Sequence, residues 1–364
     1  MKIKTRASIL GVVIAVLVTV VMMVGCTSSP RERSAGPKVT PLGGLYSEFF
    51  LIGVAVQPRT LVSHRDILTR HFTSLTAENH MKLHTIRPTS TVVDYSGADT
   101  IVAFAQENEM KLRGHTLIWH EAAPTWLFID EGGQAAADVV RERLHTHITE
   151  TVSRYRGVVY AWDVVNEGIS DSPGLLRDTV WLQKLGPDYI ADAFRWAHAA
   201  DPDALLFYND YNAIEPGKRD RIARLVRELQ ADGVPIHGVG IQGHWSLMWP
   251  PVSMIRDAIE TYAALGVTVE ITELDISVYE WDDRTTRYAG GLPEELERRQ
   301  AARYREIFEV FREYADVVTN VTFWGAADDV SWLNNFPVRG RPNYPLLFDR
   351  EHREKKAFFA ITEF

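Results

Sequence analysis

"VVYAWDVVNEGISD", residues 158–171, runs eight mostly apolar residues into an Asn166-Glu167 pair, followed by a glycine and further on an acid. An apolar run without polar alternation suits a strand buried on both faces, as in a parallel sheet with helices packed outside it. Similar runs recur at 51–56, 72–75, 111–118, 205–208, 238–241, 267–272 and 318–323. Helical periodicity fills the intervals. Ile222, Leu225, Val226 and Leu229 follow an i, i+3, i+4, i+7 pattern, and Val140, Leu144, Ile148 and Val152 repeat every four residues. Eight strand–helix alternations predict an α/β fold, a (β/α)8 TIM barrel forming a single catalytic domain.

A barrel of this kind collects its chemistry at the C-terminal ends of the strands. Polar clusters begin where seven consecutive apolar runs stop: "TAENHMK", "GHTLIWH", "NEGISD", "NDYN", "QGHW", "TELD" and "WGAADDVSW". A helix cap or solvated loop explains any one of them. It does not explain seven in order. Glu167 and Glu273 directly end the fourth and seventh runs, which are not neighbours in an eight-strand ring, so their carboxylates are expected to face each other across the mouth. Two such carboxylates are the apparatus of glycoside hydrolysis: one protonates the leaving oxygen while the other attacks the anomeric carbon or activates water. Asp163, inside its run, reads as a buried hydrogen-bonded acid, and Asp275 as a structural partner of the site.

Composition narrows the partner. The 364-residue chain has 10 Trp, 13 Tyr and 15 Phe, enough to build a large core and still line a cleft, and a formal net charge of −9. That charge, with Lys and Arg scattered, argues against a nucleic-acid ligand.

Residues 1–25 read as an export signal of the lipoprotein type: Lys2, Lys4 and Arg6 precede an apolar run over 9–24, and "MVGC" ends at Cys26, the only cysteine. Its resemblance to a bacterial lipobox makes Cys26 the expected lipidation site, although Met23 stands where Leu is more usual. A simple membrane anchor or an ordinary cleaved signal are the alternatives. Residues 26–40, rich in Ser, Pro and charge, read as a flexible tether, with the catalytic barrel over 41–364 and no separate carbohydrate-binding module. A cell-envelope lipoprotein of the bacterial outer membrane or cell surface is therefore expected, rather than a freely secreted protein.

The motifs "TAENHMK", "RGHTLIWH", "WDVVNE", "YNDYN", "GIQGHW", "ITELD" and "TFWGAADDVSW", in order over about residues 50 to 364, resemble those of the glycoside hydrolase family 10 endo-β-1,4-xylanases. "ADPDALLFYNDYN" and "PLLFD" extend the likeness beyond the site. The resemblance implies retaining hydrolysis of xylan or xylo-oligosaccharides; the chain is expected to act as a monomer, with no cofactor or metal. Glu167 becomes the acid/base and Glu273 the nucleophile, with carboxyls ~5–5.5 Å apart as a covalent intermediate requires. His244 is implied to hydrogen-bond the nucleophile, Gln242 to support the acid/base and Asn166 to hold the sugar hydroxyl beside the reacting carbon. Glu78, Asn79 and Lys82 match the set that binds the xylose two units from the cleavage point on the non-reducing side. His115, Trp119, His120, Trp324 and Trp332 resemble the wall around the reacting ring, Trp324 crowding a hydroxymethyl group. Asn209 and Tyr211 match the floor and the leaving-group side.

The sequence departs from the pattern at Glu121, where the family often has glutamine, and at Leu83, where Trp is frequent. These changes touch substrate affinity and leave the pair intact. Three alternatives to a xylanase fit parts of the sequence. A β-1,4-glucanase keeps the chemistry, and a non-catalytic glycan-binding lipoprotein has no need of both glutamates. A metal-dependent hydrolase would use His115, His120, His244 and Asp210. Yet His115 and His120 are five apart, on opposite faces of a regular strand, and no His-x-His follows the first strand.

Overall fold

The structure, a computed structural model, describes residues 40–364. The expected signal, the tether up to Val39 and Cys26 lie outside the described residues. Eight parallel strands form the barrel: β1 (Leu51–Val56), β2 (Ser74–Ala77), β3 (Lys111–Trp119), β4 (Val159–Asn166), β5 (Leu205–Asp210), β6 (Gly238–Ile241), β7 (Thr268–Ser277) and β8 (Val318–Phe323). Each pairs with the next in sequence, and β8 pairs with β1 to close the ring. The expected strands are all present, with ends shifted by up to a few residues. The largest shift is in β7, which continues past Thr272 to Ser277 and pairs beyond the barrel with a short strand, His244–Ser246.

Helices cover the outside. Ala137–Arg154 buries Val140, Leu144, Ile148 and Val152, and Pro216–Ala231 buries Ile222, Leu225, Val226 and Leu229, the stripes read from the sequence. Pro216 suits the first turn, where its missing N–H has no helical acceptor to lose. Each buried Leu or Ile contributes roughly 1.5–3 kcal/mol by leaving water.

The barrel interior is less apolar than the runs suggested. Arg113 of β3 donates to Asp163 of β4 at 2.8 and 3.1 Å and pairs with Glu270 of β7. Tyr160 donates to Glu270 (3.0 Å), and Asn320 of β8 donates to Tyr160 (2.9 Å). Asp163 is thus the buried, hydrogen-bonded acid expected. This polar plug lies below the carboxylates of the mouth, and close packing holds the strands around it. A Cβ on Gly240 would stand 2.2 Å from Asn209 Oδ1, so only glycine lets β6 approach the residue that underlies the site.

Candidate active site

β4 ends at Asn166, opposite Asn209 of β5, and the Glu167 N–H donates to the Asn209 carbonyl (2.9 Å). Glu167 has φ +58°, a left-handed conformation that costs a non-glycine residue about 1–3 kcal/mol. The strand ends there, and the carboxylate lines the cleft. Its Oε2 accepts from Trp119 Nε1 (2.9 Å); its Oε1 accepts from Gln242 Nε2 (3.0 Å) and Asn166 Nδ2 (3.3 Å). All three donors are neutral.

Glu273 is presented differently. Between Ile271 and Leu274 the register of β7 slips against β8, an irregularity of the kind that re-aims side chains. Glu273 Oε2 accepts from His244 Nε2 (3.1 Å) and Oε1 from Asn209 Nδ2 (2.9 Å). His244 Nδ1 donates in turn to Asp275 Oδ2 (3.0 Å), which also accepts from Trp332 Nε1 (2.8 Å). Burial alone raises the pKa of Glu273, but the His244 hydrogen bond and the charges of His115, His244 and Lys82 outweigh it and hold the group below the usual range. For His244 burial favours the neutral ring; Asp275 and Glu273 overcome this and raise it to about 10. The site therefore holds one carboxylate beside a cation and one among neutral donors. Asp275 is the structural partner expected.

The two halves share a scaffold. Asn209 Nδ2 donates to Asn166 Oδ1 (2.8 Å) as well as to Glu273, and its Oδ1 accepts from Thr272 Oγ1 (2.6 Å). Asn209 is fully buried and does not itself line the cleft; its amide is committed to the residues behind the carboxylates. Tyr211 does line the cleft, with Lys218 Nζ 3.5 Å from its ring centroid and Arg177 donating to its hydroxyl (2.6 Å).

The cleft has a volume of about 750 Å³. On one side Gln57 and Asn79 donate to Glu78 (2.7 and 3.2 Å), and Lys82 Nζ donates to Asn79 Oδ1 (2.9 Å) while lying 4.7 Å from the Trp119 ring centroid. Burial lowers the Lys82 pKa, against the opposing pull of Glu273, Glu78, Glu167 and Glu121. His115 donates to Asp163 (2.9 Å) and meets Trp324 edge-on, with centroids 5.3 Å apart. Trp332 stacks on Phe336 at 5.2 Å. His120 and Glu121 also face the opening.

Arg177, Trp281, Phe336 and Asn212 line the cleft without having been singled out in the sequence. Arg177 donates to the Glu167 carbonyl (2.9 Å) and Trp281 lies 6.2 Å from Trp332. Both sit in loops after a strand. Trp281 could have been found as an aromatic a few residues beyond β7; Arg177 carries no such signal.

His115 and His120 do not stay on opposite faces: the β3–β4 register slips between His115 and Ile118, and both histidines reach the cleft. They still form no metal set with His244 and Asp210. His115 is bound to Asp163 and His244 to two carboxylates, while Asp210 pairs with Lys218 (2.7 Å) and accepts from Tyr208 (2.5 Å). Among the described residues, the group whose donor atoms converge is His64, Asp329 and His352, outside the cleft.

Residues 42–364 match the profile described as "Glycosyl hydrolase family 10". The chain belongs to that family. Within family 10 it is 48% identical to the "Beta-1,4-xylanase" of Dictyoglomus thermophilum over 335 residues, covering 92% of this chain and 94% of that protein. It is also 48% identical to the "Endo-1,4-beta-xylanase" of Geobacillus stearothermophilus, covering 93% and 99%. The crystal structure of xylanase XynB from Paenibacillus barcinonensis, complexed with a conduramine derivative, superimposes with a TM-score of 0.87 at 46% identity, covering 89% of this chain and 98% of that one. The family match spans the barrel that carries both glutamates.

Proposed function

We propose that the chain is a retaining endo-1,4-β-xylanase in which Glu273 is the nucleophile and Glu167 the acid/base. One observation carries the assignment: the two carboxylates share a cleft but not an environment. Glu273, flanked by a cationic His244, stays ionised with its lone pairs oriented, as attack on an anomeric carbon requires. Glu167, among the neutral donors Trp119, Gln242 and Asn166, is free to pass a proton to the leaving oxygen and then to take one from water. In the first step a Glu273 oxygen bonds to the anomeric carbon as the glycosidic bond breaks and the Glu167 proton passes to the departing sugar. In the second, water protonates Glu167 as its oxygen displaces Glu273. Positive charge develops on the ring in both steps, so the Asn166 amide, oriented by Asn209 and Gln242, is suited to hold the adjacent hydroxyl more tightly as the reaction proceeds.

Glu78, Asn79 and Lys82 support a polar subsite on the non-reducing side, with Lys82 supplying donors only and Glu78 acceptors only. Trp324, an indole in the cleft wall against His115, supports xylan over glucan as a bulk that would crowd a hydroxymethyl group. The catalytic groups all come from one chain, which supports action as a monomer.

The basic start, apolar run and Cys26 support export and lipid anchoring at the cell envelope. Metabolic labelling with a tagged fatty acid tests this: label should enter the chain and be lost in Cys26→Ser, and an unlabelled wild type overturns it. Sugar release from xylan, compared with cellulose and an aryl xylobioside, tests the activity. Proton NMR of the first-formed product should show the β-anomer; initial α-anomer excludes retention.

A further inference from the structure

Away from the cleft, three side chains far apart in sequence meet beside the seam where β8 closes on β1. His64 lies between the helices Pro58–Ser63 and Arg65–His71 that follow β1. Asp329 is in the single turn Asp328–Val330 after β8, and His352 is in the turn before the last helix, Lys356–Thr362. His64 Nε2 stands 3.1 Å from Asp329 Oδ1, and His352 Nε2 stands 3.6 Å from Asp329 Oδ2. One donor atom from each residue lies within 4.8 Å of the other two. A tetrahedral zinc ion with bonds of about 2.0–2.1 Å sets its ligand atoms ~3.3–3.4 Å apart, and each histidine already stands within a few tenths of an ångström of that spacing from one oxygen of the Asp329 carboxylate. The His64 and His352 rings lie with centroids 4.1 Å apart, and the His352 ring is half-buried on a turn.

The surroundings of His64 point the same way. Ser63 Oγ donates to the Arg59 carbonyl (3.1 Å) and stands 2.8 Å from His64 Nδ1. The hydroxyl engages Nδ1, and the other ring nitrogen, Nε2, is directed at the Asp329 carboxylate. A second partner that fixes the tautomer of a ligating histidine is the usual outer arrangement of a metal site.

We propose that His64, Asp329 and His352 bind one divalent transition-metal ion of the zinc class, with water completing the coordination, and that the ion pins the segments after β1 and β8 to the C-terminal turn. Two imidazoles and one carboxylate suit zinc, nickel or copper; calcium and magnesium take oxygen ligands. This site is independent of the hydrolytic reading.

The test is calorimetric titration of zinc chloride into the untagged full chain, first stripped with chelator, with Tm read in parallel. The expected result is one saturable site per chain and a Tm rise of about 2–5 °C at a hundredfold excess over Kd. Asp329→Asn and His352→Ala should each weaken binding tenfold or more and remove the Tm rise, with circular dichroism confirming the fold; Glu273→Gln should bind zinc as the wild type does. Absence of one-to-one binding, binding unchanged in both Asp329→Asn and His352→Ala, or binding lost in Glu273→Gln overturns the proposal.

Discussion

His244 donates from Nε2 to Glu273 (3.1 Å) and from Nδ1 to Asp275 (3.0 Å), so both ring nitrogens carry protons and the imidazolium lies between two carboxylates. Removing that cation deprives Glu273 of the hydrogen bond and the positive charge that keep it ionised. His244→Ala should lower kcat on xylan on the order of 10²-fold, by analogy with loss of a single preorganised donor. It should also move the acidic limb of the pH–rate profile to higher pH, because Glu273 then ionises less readily. Steady-state rates from pH 4 to 9 check both; an unmoved limb contradicts the role assigned to His244.

The two glutamates should separate by leaving group. Glu273→Gln removes the nucleophile and should reduce turnover at least ~10⁴-fold on every substrate. Glu167→Ala should be comparably poor on xylan but should retain rapid first-step cleavage of an aryl xylobioside whose phenol leaves without protonation. Burst kinetics on the two substrates distinguish these outcomes, and equal losses on both contradict the acid/base assignment.

Stability should follow the His244–carboxylate cluster. With its folded pKa raised from 6.5 to about 10, His244 contributes stability fully below about pH 6.5, and loses it as pH rises toward about 10. Glu273, depressed below 4.5, contributes above that value and loses its share as pH falls. Urea unfolding should show these contributions together between about pH 4.5 and 6.5, with a decline of at most a few kcal/mol on the alkaline side that flattens in His244→Ala.

The features legible in sequence are those tied to strand ends. Glu167, Glu273, Gln242 and His244 stand one to three residues beyond apolar runs, so placing the strand places the side chain. Arg177, Trp281 and Phe336 lie in loops without periodicity, and chain folding rather than local spacing brings them to the cleft. The ionic barrel interior was obscured because outward-facing Val and Ile dominate the runs and hide the alternate inward positions of Arg113 and Glu270. The place of Asn209 behind the carboxylates depends on the β4–β5 register, which sequence does not show.

Trp324 should set the choice of sugar. It is 8% exposed and packs edge-on against His115 in the wall of the cleft. Trp324→Ala opens space for a hydroxymethyl group and should raise kcat/KM on an aryl cellobioside relative to the xylobioside by roughly tenfold, the scale set by one carbon-sized group in a pocket. An unchanged ratio places discrimination elsewhere.

The left-handed backbone of Glu167 sets stability against turnover at a single position. Glycine there relieves the φ strain and should hold or raise Tm while abolishing hydrolysis of xylan. A screen that rewards heat resistance alone would therefore favour loss of the proton donor, so directed evolution of this barrel has to select for product as well as for survival.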